Sequence, residues 1–276
     1  PVTLETVVDP GPNDATEPLA QDFSADRAVH FLDSASLNWQ KERQCFTCHT
    51  NYAYLYARPL ISFEDEAHAT VRGFAEQLVA ERWPEHGPRW DAEVVATAAA
   101  LAFNDAHTTG TLDPLTRRAL DRMWELQRDD GGWSWLHCDW PPMESDDDYG
   151  VTLAALAVAV APDDYAQTDA ARKGLAGIQK YLASNPPPTL HHEAMLLWAA
   201  SYLPELMTDE AREQCLKQLS DRQLDDGGWS LPSLGDWERE DGTPQIVDRS
   251  DGYGTGFVLY ILRRGGVEPS DERITR

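Results

Sequence analysis

The sequence predicts an all-α protein and, within that class, a single α/α toroid, a barrel of alternating outer and inner helices. Three observations predict it. From Asp26 onward, segments of helical period alternate with loops of Gly, Pro and Asp, and no run of β-branched alternation interrupts them. The helical segments are of two kinds in strict succession, amphipathic ones suited to an outer layer and Ala- and Leu-rich ones suited to an interior. A seven-residue turn, Gln-x-Asp-Asp-Gly-Gly-Trp, occurs at Gln127–Trp133 and again at Gln223–Trp229, an offset of 96 residues. Repeats at fixed spacing mark stacked supersecondary units.

Taken in order, residues 1–23 hold Pro1, Pro10, Pro12 and Pro18 among acids and Thr, and read as an extended leader. Residues 24–276 form the toroid domain. Its outer helices are expected at Asp26–Gln40, Asp65–Trp83, Pro114–Gln127, Thr168–Ala183 and Thr208–Gln223, each opened by Asp, Thr or Pro, which suit a first turn. The inner helices alternate with them at Phe46–Ala57, Ala92–Phe103, Val151–Ala161, Glu193–Leu203 and Gly254–Leu262. Within the repeated turn, the Gly pair permits a sharp reversal, the Asp pair can accept freed backbone amides, and the Trp can pack on the Gln end of the helix.

Composition excludes several classes. The 276 residues include 42% hydrophobic ones, enough for a sizeable core, and a net charge of −24 disfavours phosphate backbones and anionic lipid surfaces. The longest apolar run, Val151–Ala161, is too short to cross a bilayer, which takes about 20 residues. Four cysteines are too few and too unevenly placed for a disulfide scaffold.

The sharpest local signal is Cys45-Phe46-Thr47-Cys48-His49. Cys-x-x-Cys-His resembles in full the attachment motif of c-type cytochromes. There both thiols add to haem vinyl groups and the imidazole binds iron, so one covalent haem c is expected on Cys45 and Cys48 with His49 as the proximal ligand. Two other readings stay open: a zinc site completed by Cys138 or a further His, and a disulfide or unligated thiol pair. A thioredoxin-like site would need a βαβ setting, and none is apparent. Haem attachment follows export, so a periplasmic or secreted location is expected, and export would account for the absence of an initiator Met before Pro1.

The repeated Gln-x-x-Asp-Gly-Gly-Trp turn is similar to the glutamine–tryptophan motif of the squalene–hopene cyclase and prenyltransferase superfamily, over about Pro114–Gly265. That resemblance implies a terpenoid cyclase-like α/α barrel. The family's general acid lies in Asp-x-Asp-Asp, where this chain has Glu144-Ser145-Asp146-Asp147. The departure at the first position makes cyclase activity an unfavoured reading, and Glu144–Asp148 reads instead as a solvated acidic loop with a helix cap.

If outer and inner helices alternate, the haem motif shares one mouth of the toroid with the two Trp-bearing loops. His86, His137, Cys138, Met143, His191 and His192 could then reach the iron. His137, Cys138 and Met143 are the leading candidates for the sixth ligand, while His191 and His192 suit a helix cap or lining. Arg58 is expected either to bind a haem propionate or to pair with a surface acid. These features point to electron transfer with a basic redox partner as the expected function. A haem enzyme acting with peroxide or oxygen on an apolar, isoprenoid-like small molecule, and a haem ligand sensor, are the alternatives.

Overall fold

The helices form where apolar periodicity and capping chemistry coincide. The computed structural model describes residues 2–11, 22, 24–45, 48–62, 65–138 and 140–275, at positions 48 and 49 through the backbone. Among these residues the structure is all-helical, with one isolated β-bridge, Trp140 to Glu144, and no strand. No described helix is long and apolar enough to cross a membrane. The chain divides into two compact units, Pro1–Glu125 with Val160–Thr168 and Leu126–Ala159 with Asp169–Arg276.

In the first unit, α1 (Ala25–Arg43) begins where Ser24 Oγ accepts the Arg27 N–H, and ends at Gln44 in the left-handed region. A π-helical turn, Cys48–Tyr52, leads into α2 (Ala53–Ala57). Next, α3 (Glu66–Gln77) starts at the cap Asp65, whose Oδ1 accepts the His68 N–H, and continues through a second π turn into α4 (Trp83–His86). The expected outer helix Asp65–Trp83 therefore exists, with a widened turn inside it. Helix α5 (Asp91–His107) is buried at every position from Ala92 to Asp105, as an interior helix of Ala, Val and Leu should be. Against it packs α6 (Pro114–Glu125), which buries only the stripe Thr116, Ala119, Leu120 and Met123. The returning segment closes this unit through the buried Tyr165, whose hydroxyl donates to Asp121 and accepts from Trp124 Nε1. Residues of the expected leader take part as well: Thr3 and Val7 close a turn, and the Val7 side chain is buried. Leader residues 12–21 and 23 lie outside the described residues.

The second unit holds α7 (Asp147–Val160, through Ala159), α8 (Asp169–Ser184), α9 (Leu190–Ala200), α10 (Asp209–Ser220), α11 (Gly252–Arg264) and the short α12 (Glu272–Thr275). The repeated turn has the same bonding in both copies. Gln127 Nε2 donates to Gly131 O and to Gly174 O on α8; Gln223 Nε2 donates to Gly227 O and to Arg273 O on α12. The second Asp of each pair, Asp130 or Asp226, accepts the N–H of the second Gly. Gly131 and Gly227 sit at φ 94° and 87°, where a side chain is strained. Trp133 and Trp229 are fully buried, and Trp229 anchors a core of Leu197, Cys215, Leu219, Leu234, Val258 and Ile261.

Candidate functional site

The Cys45–His49 segment begins where α1 ends. The left-handed Gln44 bonds its N–H to Gln40 O and turns the chain sharply, which brings Cys45 off the helix as a half-buried thiol outside any disulfide. Phe46 and Thr47 lie outside the described residues, as do the side chains of Cys48 and His49. The backbone from Cys48 to Tyr52 is one helical turn of π type, a local widening frequent at functional sites.

The residues after this turn fasten it to the first unit. Asn51, fully buried, donates from Nδ2 to Ser36 O on α1 at 3.0 Å. The Tyr52 hydroxyl meets Thr97 Oγ1 on α5 at 2.9 Å. Tyr54 donates to Asp33 Oδ1 at 2.8 Å. Arg58 is 1% exposed and all five of its N–H donors are engaged: Nε and Nη2 with Asp33, Nη2 also with Asp65, and Nη1 with Ser62 Oγ and Ser62 O. Burial opposes the charge on Arg58, yet the hydrogen bond and field of Asp33 hold its guanidinium above the ordinary value. Burial, reinforced by Asp33, pushes the Tyr54 phenol far up. Arg58, expected to serve a haem propionate or a surface acid, pairs with two acids and joins α1 to the cap of α3, so a propionate would have to displace one of these partners.

Of the three donors a c-type haem would use, the structure describes one side chain, Cys45, an unbridged and partly accessible thiol; the backbone at Cys48 and His49 is helical, of π type. Among the described residues, no group of three or more His, Cys, Asp or Glu is placed to hold a metal ion.

The leading candidates for a sixth ligand belong to the second unit, whereas Cys45–His49 belongs to the first. His137 is largely exposed, with Nε2 3.2 Å from Asp147 Oδ1. Cys138 is exposed, and its N–H donates to Glu144 O. Met143 is half-buried, and its carbonyl accepts Trp135 Nε1–H at 2.6 Å. In the first unit, His86 is exposed beside Glu85.

The acidic loop holds what sequence reasoning missed. Asp146 does cap α7, with Oδ1 accepting the Tyr149 N–H, but the loop is not simply solvated: the same oxygen lies 3.0 Å from Nε2 of the buried His192. Burial works against the charge on Asp146, but His192 together with the Tyr149 N–H and Ser145 outweighs it, so its carboxyl sits below the ordinary range. Asp147 accepts from Trp135 N–H and Arg128. Asp148 differs: burial and then Asp146 push its carboxyl up to about 6, and its Oδ1 is buried without a hydrogen-bond partner. Next to His192, His191 is fully buried, stacked on Phe257 at 4.4 Å and bonded through Nε2 to the Tyr253 hydroxyl; burial takes its imidazole down to about 3. A cleft of about 590 Å³ nearby is lined by Cys138, Trp140, Ser145 and Trp237, and Ser145 Oγ donates to Asp146 Oδ2. The only sequence signal for this group was the cap pattern before α7 and α9.

No protein-family model matches the chain, and comparisons with curated proteins and with solved structures found no significant match.

Proposed function

We propose that the protein is a c-type haem protein that transfers electrons through one haem, covalently held by Cys45 and Cys48, with His49 on the iron. The observation that carries the reading is the complete Cys-x-x-Cys-His sequence at Cys45–His49, with the Cys45 thiol unbridged and the backbone at Cys48 and His49 helical. When bound, the haem supplies reversible one-electron chemistry. The chain supplies the seat: Asn51, Tyr52, Tyr54 and Arg58 tie the residues behind the motif to α1 and α5, so that little should reorganise as the charge on iron changes. Covalent attachment places the protein outside the cytoplasm. The net charge of −24 favours a basic redox partner, drawn in electrostatically and released by salt. The alternation of the buried α5 and α9 with the one-faced α3, α6 and α8, together with the repeated turn, supports the α/α toroid as the fold.

The test is expression with haem-maturation machinery, followed by reduced and oxidised spectra, a pyridine haemochrome and denaturing mass. One covalent haem, lost when Cys45 and Cys48 are replaced by Ser, supports the reading; its absence overturns it. Reduction by a basic cytochrome should slow as salt rises, and salt-independent reduction would remove the partner assignment.

A further inference from the structure

We propose that the cleft bordered by Trp140 and Trp237 binds an organic cation, an ammonium group carrying alkyl substituents. Every residue lining the cleft lies in the second unit, so the inference stands apart from the haem reading. It begins with an exposed aromatic ring. Trp140 is 63% exposed, although its backbone is fixed by the bridge to Glu144, whose N–H donates to Trp140 O at 3.0 Å. A large ring held out in water on a fixed backbone offers apolar area that a ligand can cover at little cost in ordering.

The second ring is held in place from several sides. Trp237 is half-buried, lies edge-on to His191 at 5.9 Å, and accepts Gln245 Nε2–H on its carbonyl at 3.1 Å. It lies so close over Gly235 that a Cβ there would fall 2.7 Å from the ring, so a larger residue would push the indole away. Burial keeps the His191 imidazole neutral, and no positive charge stands at that edge of the ring. Charge then selects the ligand. Asp236, Glu238 and Glu240 line the same cleft, and among the described residues none of them is in an ion pair. Arg239, the cation among the lining residues, pairs instead with Asp241 at 3.3 Å. In a chain of net charge −24 the three carboxylates add to a field that draws cations in and repels anions.

Two other ligands fit less well. A metal ion needs several converging donors, and among the described residues no group of three or more His, Cys, Asp or Glu is so placed. A sugar can stack on Trp but, being neutral, leaves the three carboxylates uncompensated. A bulky ammonium ion answers both features, because indole faces and carboxylates attract it together. At about 590 Å³ the cleft has room for such a group and its alkyl arms.

The experiment uses the full chain labelled with fluorotryptophan and read by fluorine NMR, with spectra of Trp140→Leu and Trp237→Phe assigning both resonances. The probes are choline, tetramethylammonium and dimethylbutanol, the neutral isostere of choline in which carbon replaces the nitrogen. The expected result is a saturable shift of both resonances with either ion, and binding of the alcohol weaker by about tenfold or more. Trp140→Leu, at an exposed position where folding is spared, should weaken choline about tenfold. Glu238→Gln combined with Glu240→Gln, both exposed, should weaken it too and flatten its dependence on salt. No saturable shift with either ion, equal binding of the alcohol, or choline binding unchanged in Trp140→Leu overturns the proposal. A shift with methyl glucoside and none with choline overturns it as well and makes the cleft a sugar site.

Discussion

Replacing Gly131 by Ala should destabilise the second unit through contact with α8, and the molecule contains its own control. Gly131 and Gly266 share the same backbone angle, φ 94°, in which an L side chain is strained by about 1–2 kcal/mol. Around Gly266 a Cβ would meet nothing within 4 Å. At Gly131 it would fall 1.9 Å from the carbonyl oxygen of Gly177. Ordinary contact begins near 3.4 Å, so the turn and α8 would have to part by 1.5 Å. That separation would also stretch the 2.9 Å bond from Gln127 Nε2 to Gly174 O. Overpacking costs about 1–3 kcal/mol and a lost hydrogen bond about 1 kcal/mol, so Gly131→Ala should cost about 4 kcal/mol against about 1 kcal/mol for Gly266→Ala. Urea unfolding followed by far-ultraviolet circular dichroism measures both. If the two variants fall within about 1 kcal/mol of each other, the helix does not bear on the turn as described and the argument fails.

Other perturbations probe different contacts. Arg58→Met strands the buried Asp33 carboxylate and should cost about 3–5 kcal/mol in the same unfolding assay, with Asp33→Asn in the same chain recovering part of it; equal stability of Arg58→Met and the parent would mean the cluster is solvated. Asp148 carries a carboxyl raised to about 6 from 3.8, so the folded state holds a proton that the unfolded chain has released between those values, and stability falls as pH rises through that window. Asp148→Asn should therefore be more stable than the parent above pH 6, by about 1 kcal/mol after discounting for its solvent contact, and the advantage should vanish near pH 4; a gain that is independent of pH would refute the assignment. Gln223→Ala removes the bonds to Gly227 O and Arg273 O and should raise amide exchange in 272–275 while leaving α10 protected, a pattern read directly by hydrogen exchange.

Legibility in the sequence followed the range of the interaction. Helices could be placed because their signals are local: Thr208 and Asp65 each announce a cap, and the run Ala92–Phe103 shows no polar face. The repeated turn was equally legible, since Gln127 bonds within its own turn and Gln223 does the same. Its second bond in each copy goes to a helix about fifty residues away, and nothing in seven residues names that partner.

The side chains most open to chemistry were the least legible for the same reason. Arg58 offers a guanidinium that suits any carboxylate, and only the folded chain shows that Asp33, 25 residues earlier, claims it. The acidic loop is the sharper case. Three successive aspartates read as one solvated run, yet each meets a different environment: Asp146 a buried imidazole, Asp147 an arginine and a backbone amide, Asp148 a half-buried position with a like charge beside it. Because α7 begins at Asp147, successive side chains leave the helix about 100° apart. One run of acids is thereby distributed among three neighbours, and its members acquire opposite pKa shifts. Charge alone could not reveal this division, because it is set by helix phase and by where Thr189 starts α9 and so delivers His192.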